Sequence, residues 1–498
     1  MEGSPSAFDS FYEAVRYIFS TYVNSAPHRP PGLDRDVRQP WHTRQLLDGL
    51  CAPDRLLRTI KVTGSKGKGS TARIIAGLLQ VHGYRVGLFS SPHLVDFTER
   101  IRVDGRAIGE SEFMEILADI RPLADRLAAN FAPHEYFGPV GLVAVVACIY
   151  FARRATDVNV VELGRGARHD DVNQVAGEWA VLTPVLREHA EQLGPDIRSI
   201  IDNKAGVMDD GMRGVILGRQ SPEALAQLLR EAERLALPVR RLGGGSAGRA
   251  EECFDGRRGG RAEERLDEQF GVEGVTAAVD GVRFSLWTGR RVYGAQHLSL
   301  QGRHQADNAA VAVAAAEAFH GAPLDPEAVR RHLGRLAFPG RCQVIQGNPA
   351  VLIDGAINRE SANYVSEFIG TLGVQSVISV IAVPADKDYV GVLEVMAAVS
   401  EQIIVTCASN PHLEFPADAL EVATRMLPSE TAADLEEAVG KAKRRLGAAR
   451  GLIAVVGTQS LVADALRYYG VDTRDMAEVI QPVCIAGSVT APRNAGTV

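Results

Sequence analysis

The sequence predicts an α/β protein in two parts. One is a large domain with a mostly parallel sheet built around a phosphate loop; the other is a smaller, Rossmann-like α/β domain at the C-terminal end. Three observations predict it. Short apolar runs of strand length alternate with longer runs of helical spacing, the signature of βαβ units. A glycine-rich turn, "GSKGKGS" at 64–70, lies between such a strand and such a helix. The alternation starts again near residue 338 after an interruption. At 498 residues the chain also exceeds what one core supports.

The elements follow in order. "TIKVTG", "YRVGLFS", "DVNVVEL", "WAVLTPV" and "GVILG" read as buried strands. Between them "STARIIAGLLQVHG", "GESEFMEILADIRPLADRLAAN" and "DIRSIIDNKAGVM" carry helical spacing. "VGLVAVVACIYFA", 140–152, is apolar but too short to span a bilayer and is expected to be a buried helix. Residues 241–272 are rich in Gly, Arg and Glu and read as a flexible surface insertion. "CQVIQG", "AVLIDG", "SVISVIAV", "QIIVTCA" and "LIAVVG" then give the second set of strands. The expected division is 1–336, 337–482 and a poorly ordered tail, 483–498.

Hydrophobic content of 46% and charged content of 23% are those of a soluble globular protein. A net charge of −7 argues against a nucleic-acid partner but leaves room for local basic pockets. Six scattered cysteines, without metal spacing, read as free thiols in a reducing compartment. No signal-peptide h-region is visible at the N-terminus. A cytoplasmic monomer that engages neither membrane nor nucleic acid is expected.

Lysine usage points to the chemistry. Only seven of the 54 Lys and Arg residues are lysines, and three of them, Lys61, Lys66 and Lys68, fall within "KVTGSKGKGS". A strand, a Gly loop and a helix N-terminus make a phosphate cradle, in which backbone N–H groups and the helix dipole face the anion. Lys68 is placed as its lysine, because a compact ammonium reaches phosphates where a forked guanidinium fits poorly. The match to the usual P-loop pattern is imperfect: its first glycine would fall at Val62, and Gly69 separates Lys68 from the hydroxyl of Ser70. Glu162 ends an apolar strand, a position that holds Mg²⁺ in many nucleotide sites and is a plain solvated acid in many others.

These stretches together resemble folylpolyglutamate synthase/dihydrofolate synthase, within the Mur ligase superfamily. "VTGSKGKGST", "SSPHLVDFTERIRVDGRAI", "VVELGRGARHDDVN", "REHAEQLG", "NKAGV", "GRHQADNAAVAVAA", "FPGR", "LIDGAIN" and "ADKD" carry the resemblance, in consistent order over roughly residues 40–470. It implies a Mur-ligase-type P-loop domain and an ADP-forming ligase that activates a carboxylate with ATP and passes it to an amine. It further implies that Gly64, Ser65, Lys66, Gly67, Lys68, Gly69 and Ser70 hold the ATP phosphates. Ser70, Glu162 and His189 would lie at the Mg²⁺, with Ser91 close by. Lys204 matches a lysine that the family carbamylates, and a carbamate needs a primary amine. Asn308 matches an adenine contact. Arg341 and Asp354 match residues that reach the nucleotide from the second domain, and 91–101 matches a loop beside the pterin. Lys68, Lys204 and His189 are the expected catalytic set.

The chain departs from the family at the acceptor end. Ile357 stands in "DGAIN" where the family has a histidine; "GRGARHDDVN" adds Arg165, His169 and Asp171; "PVLREH", 184–189, replaces "SIGLDH". If glutamate is still the amine, another cation must compensate, and Arg165 and Arg359 are the candidates. The expected substrates are therefore a small carboxylate, folate-like or other, and an amino acid or amine. The competing readings are a specialised Mur-type ligase for a non-folate carboxylate, a lapsed nucleotide-binding paralogue, and a P-loop switch or kinase.

Overall fold

The computed structural model of the chain describes residues 8–243, 267–278, 280–336, 338–447 and 451–476. Two sheets organise it. The first takes β1 Thr59–Thr63, β2 Val86–Phe89, β3 Ile101–Val103, β4 Arg106–Ala107, β5 Val158–Glu162, β6 Trp179–Leu182, β7 Gly214–Leu217, β8 Val239–Leu242, β9 Asp267–Ala278, β10 Gly281–Trp287 and β11 Val292–Leu298. Their order is β11-β10-β9-β8-β7-β6-β1-β5-β2-β3-β4. From β9 across to β2 every pairing is parallel, and both ends continue antiparallel.

β1 is interior to the sheet and buried along its length, although only Ile60 and Val62 of its residues are apolar. Alternation along the strand sends Ile60 and Val62 to one face. On that face lie the helix Lys68–Val81 and the helix His304–His320, whose Ala-rich sequence lets the two pack closely. The other face is covered by the helices Phe11–Ser25, Glu110–Ala128, Pro139–Arg153 and Ile197–Ala205. Pro139–Arg153 is the apolar stretch expected to be a buried helix, and it is buried there. No helix among the described residues is long and apolar enough to cross a membrane.

The expected insertion at 241–272 is corrected at both ends. Residues 241–242 finish β8 and 267–272 open β9, pairing in parallel, and Arg240 meets Glu268 across the strands at 3.0 Å. Charged residues that look like loop are thus paired within a sheet. Its middle, 244–266, lies outside the described residues, as does the expected tail 483–498.

The second sheet holds β12 Gln343–Ile345, β13 Ala350–Asp354, β14 Ser376–Ala382, β15 Gln402–Val405, β16 Ser429–Thr431 and β17 Gly451–Gly457, in the order β12-β13-β17-β14-β15-β16. All but β12 are parallel, with an apolar cluster on each face. The two halves are tied at several points. Gln459 Nε2 donates to the His93 carbonyl at 3.2 Å, and Arg467 Nη2 to that of Val95 at 2.9 Å. Arg102, fully buried, donates to the carbonyls of Thr473 (2.7 Å) and Arg474 (2.8 Å). The four described cysteines, Cys51, Cys148, Cys342 and Cys407, are free thiols.

Candidate active site

The loop after β1 turns on two glycines that only glycine suits. Gly64 has φ 137°, and a Cβ there would lie 2.0 Å from Thr183 Oγ1 at the end of β6. Gly67 has φ 84° and precedes the first helical residue, Lys68; a Cβ there would lie 2.5 Å from Asn308 Oδ1. Ser65 anchors the loop. Its hydroxyl donates to the Leu186 carbonyl (3.2 Å) and accepts the Leu186 N–H (2.9 Å). Lys66 is exposed at the loop's tip, and Gly69 and Ser70 lie in the first turn of the helix. Lys61 is not part of this group. Its Nζ donates to the Asn173 carbonyl (2.9 Å) and Oδ1 (3.2 Å), and burial pushes its ammonium down to about 8.

Lys68 and Lys204 converge on one atom. Lys68 Nζ donates to the Gly64 carbonyl at 3.1 Å, and Lys204 Nζ donates to the same oxygen at 2.8 Å. Lys204 comes from the last turn of Ile197–Ala205, is fully buried and also meets Glu188 Oε1 at 3.3 Å. Burial, then the neighbouring Lys68 charge, bring its ammonium down to about 8 against the opposing pull of Glu188. His189 follows Glu188 in the left-handed region (φ 51°) and opens the short helix Ala190–Leu193. Burial lowers its imidazole pKa, and Arg165, Lys204 and Lys68 push the same way against Glu188. The segment 164–168 is held beside them by Asn203, whose Oδ1 accepts the Ala167 N–H at 2.9 Å.

Glu162, at the end of β5, faces this group across the loop. It is buried, its Oε2 accepts the Ser91 N–H at 3.2 Å, and among the described residues it forms no ion pair. Burial pushes its carboxyl up to about 7, against the combined fields of Lys68, Arg73 and Arg100. No three His, Cys, Asp or Glu side chains among the described residues form a preassembled metal cluster. A nucleotide-bound Mg²⁺ does not need one, since it takes one or two carboxylates and draws its other ligands from phosphates and water. A buried, unpaired carboxylate beside the phosphate loop fits that role.

The second half contributes from the end of β13. Asp354 is buried, accepts the Cys342 N–H at 2.8 Å, and burial raises its carboxyl pKa in spite of Arg341. The Arg341 charge is felt by Arg73 on the phosphate-loop helix and by His304, so this cation stands where the halves meet. Asn308 is buried against Gly67, its Nδ2 donating to Gln305 Oε1 at 3.0 Å. Ile357 is half-buried on the apolar cluster of the second sheet. The two cations considered as its compensation are both engaged. Arg359 pairs with Glu394, and Arg165 grips Asp34 at 2.6 and 3.1 Å.

Sequence reasoning missed several groups. Glu188 was visible only as a letter in "PVLREH", and Arg73 and Arg100 carried no spacing that distinguished them. It also missed a cavity of about 320 Å³ lined by Tyr22, Arg29, Tyr136, Arg165 and buried acids, of which Asp170 has its charge felt by Lys204. Arg38 lies among Asp34, Asp170 and Asp171 there, and burial pushes the Asp170 carboxyl up to about 6. Arg38 and Asp171 are far apart in sequence, so no motif joins them.

No family model matches the chain. Among curated proteins it is 31% identical over 412 residues to the dihydrofolate synthase/folylpolyglutamate synthase of Mycobacterium tuberculosis, covering 79% of this chain and 80% of that one. To the Bacillus subtilis protein of the same description it is 31% identical over 395 residues, covering 78% and 84%. Among solved structures, Mycobacterium tuberculosis folylpolyglutamate synthase complexed with ADP and AMPPCP superposes with a TM-score of 0.74 at 27% identity, over 93% of this chain and 100% of that chain. Identity of this extent, on a fold shared from end to end, means that the chain belongs to the dihydrofolate synthase/folylpolyglutamate synthase family of ATP-dependent, ADP-forming ligases.

Proposed function

We propose that this ligase activates a carboxylate seated in the cavity lined by Arg165 and Asp170 and joins it to an amine at the junction of the two halves. A carboxylate oxygen attacks the γ-phosphorus of ATP, the bond to the β–γ bridging oxygen breaks, and ADP leaves. The amine nitrogen then attacks the acyl carbon of the acyl phosphate, the carbon–oxygen bond to phosphate breaks, and the nitrogen gives up a proton. The protein's part is positioning and charge neutralisation. Lys68 leaves the Gly64 carbonyl for the phosphates, the N–H groups at the start of Lys68–Val81 cradle them, and Arg341 and Asp354 approach from the other half. Glu162 and the Ser70 hydroxyl, with His189 and Ser91 nearby, would hold the Mg²⁺, which supplies neutralisation of phosphate charge.

The carrying observation is the pair of ammonium groups, Lys68 and Lys204, on one carbonyl oxygen. An amine lowered to about 8 is neutral far more often near physiological pH than an ordinary lysine, though still mostly protonated, and the neutral form takes up CO₂. We take Lys204 to be carbamylated in the working enzyme. Carbamylation reverses the charge at Nζ, so Glu188 would turn away and Lys68 would supply the facing cation. The folate named in the relatives makes a pteridine-bearing carboxylate the first candidate for the cavity, whose Tyr22 and Tyr136 rings lie 5.2 Å apart. The experiment is substitution at Lys204. Lys204→Arg is expected to be inactive, and Lys204→Ala to regain activity with an added short-chain carboxylic acid. Full activity of Lys204→Arg in CO₂-free buffer sinks the carbamate.

A further inference from the structure

The helix that follows the phosphate loop walls a cavity of its own, of about 170 Å³. Arg73, Ala76, Gly77 and Gln80 of Lys68–Val81 follow the i, i+3, i+4, i+7 spacing and so share the face that lines it. The edge of the first sheet forms a second wall. Val86 and Leu88 alternate onto one face of β2, and Arg102 of β3 is the direct cross-strand neighbour of Leu88. The helix Pro326–Arg335 adds His332 and Arg335. Gly77 makes room for that helix, since a Cβ there would lie 2.0 Å from His332 Cε1. Met476 closes the wall from the C-terminal segment, its N–H donating to the Gly105 carbonyl at 3.2 Å.

The charge in this cavity is unbalanced. Among the described residues, the guanidiniums of Arg73, Arg102 and Arg335 line it against one carboxylate, that of Asp104. Asp104 is already engaged, its Oδ1 accepting the Val86 N–H at 2.8 Å. Arg102 is fully buried and directs its Nη groups to the carbonyls of Gly105, Thr473 and Arg474, but its Nε is buried without a partner. His332 Nε2 is buried without a partner as well. Burial, then the neighbouring His82, pushes that imidazole down to about 4, so it is neutral and the recognition of charge falls to the arginines. The Arg73 guanidinium lies 4.9 Å from the centre of the Phe338 ring, and among the described residues its side chain makes no hydrogen bond or ion pair. The same holds for Arg335, which is exposed at the rim.

We propose that this cavity is a binding site, separate from the nucleotide site, for a small organic anion with an apolar body about one aromatic ring in size, and that the bound anion ties the phosphate-loop helix to the C-terminal segment. A guanidinium without a partner gains a charge-assisted, two-pronged hydrogen bond from a carboxylate or a phosphate ester. Ala76, Val86, Leu88, Leu336 and Met476 make the rest of the wall apolar, which suits a ring. The volume also suits one, since a cavity of about 150 Å³ holds benzene. A bare inorganic ion would leave the apolar wall uncovered, and a neutral ring would leave Arg73 unpaired.

Calorimetric titration of the full chain tests it, with benzoate, phenyl phosphate, acetate and benzyl alcohol as probes, in the absence of nucleotide and at saturating AMPPCP. Benzoate or phenyl phosphate is expected to bind saturably under both conditions. It should bind at least about tenfold more tightly than acetate, which lacks the ring, and than benzyl alcohol, which lacks the charge. The tighter of the two anions identifies the headgroup as carboxylate or phosphate ester. Gln80 and Arg335 are both exposed, so substitutions there spare the core. Arg335→Glu reverses a charge at the rim and Gln80→Trp fills it. Each should weaken binding at least about tenfold while leaving AMPPCP affinity and ATP turnover unchanged. Hydrogen exchange at the Met476 amide should slow about tenfold when the bound probe stands at about ten times its Kd. No saturable binding of either anion, equally tight binding of benzyl alcohol, displacement by AMPPCP, or indifference to both variants overturns the site. Unchanged exchange at Met476 overturns the bridging of the two segments. None of these outcomes touches phosphoryl transfer, so each leaves the ligase reading standing.

Discussion

The ammonium groups of Lys68 and Lys204 share the Gly64 carbonyl, and each raises the free energy of the other's charge. Lys68 is only partly buried, and its side-chain hydrogen bond is to the Gly64 carbonyl. Lys68→Ala should therefore change stability by no more than about 0.5 kcal/mol in urea unfolding, while ATP turnover falls by at least about 10²–10³-fold. Glu162 offers a titration. Its folded carboxyl is raised to about 7, above its ordinary value. Between that ordinary value and 7 the folded state binds more protons than the unfolded one, so this group's contribution to stability falls as pH rises through the window. Metal-bound nucleotide prefers the ionised form. Affinity for Mg²⁺–ATP should thus weaken by up to about tenfold per pH unit below 7, and Glu162→Gln should remove that slope. An affinity independent of pH from 5 to 8 in the natural chain contradicts the placement of Glu162 at the metal.

At the scale of elements, the strand–loop–helix unit was legible because three separate features coincide there: an apolar run, a Gly-rich turn and a helical period. The alternation rule also explains what was misread. Lys61 lies in β1, with Ile60 and Val62 turned to the phosphate-loop helix, so its own side chain goes to the opposite face and Asn173. It was counted with the loop by proximity in sequence alone. The antiparallel strands β10 and β11 carry polar residues on one face and Gly within, which obscured their pattern. Arg102 was missed because nothing local marks it: its partners are Thr473 and Arg474, some 370 positions away. It closes the C-terminal segment onto β3 and β4, where the Ala107 N–H also donates to the Arg474 carbonyl at 2.8 Å. Removing a buried charge from such a network costs about 3–5 kcal/mol. Arg102→Met should lower the urea midpoint accordingly and speed hydrogen exchange at Ala107; an unchanged midpoint would mean that this segment is not part of the folded unit.

Taken whole, the molecule places two mostly parallel sheets so that Arg341, beside Gly355 at the end of β13, is felt by Arg73 and His304 across the junction. The candidate site is divided between them, and that division explains its uneven legibility. The nucleotide end is local and motif-like, readable at Gly64–Ser70. The cavity proposed for the carboxylate is assembled from residues near 22–38, 136–140 and 164–171, so it is not a motif. Across this junction the γ-phosphoryl group must pass to a carboxylate before the amine arrives. Oxygen-18 transfer follows that step directly. With a substrate carboxylate labelled in both oxygens, ATP and an accepted amine, mass spectrometry of the released inorganic phosphate should find one labelled oxygen per phosphate, in proportion to ADP and amide formed, and Lys68→Ala should abolish all three. Unlabelled phosphate formed together with amide, or ADP released at the same rate without the carboxylate, would contradict an acyl-phosphate ligase.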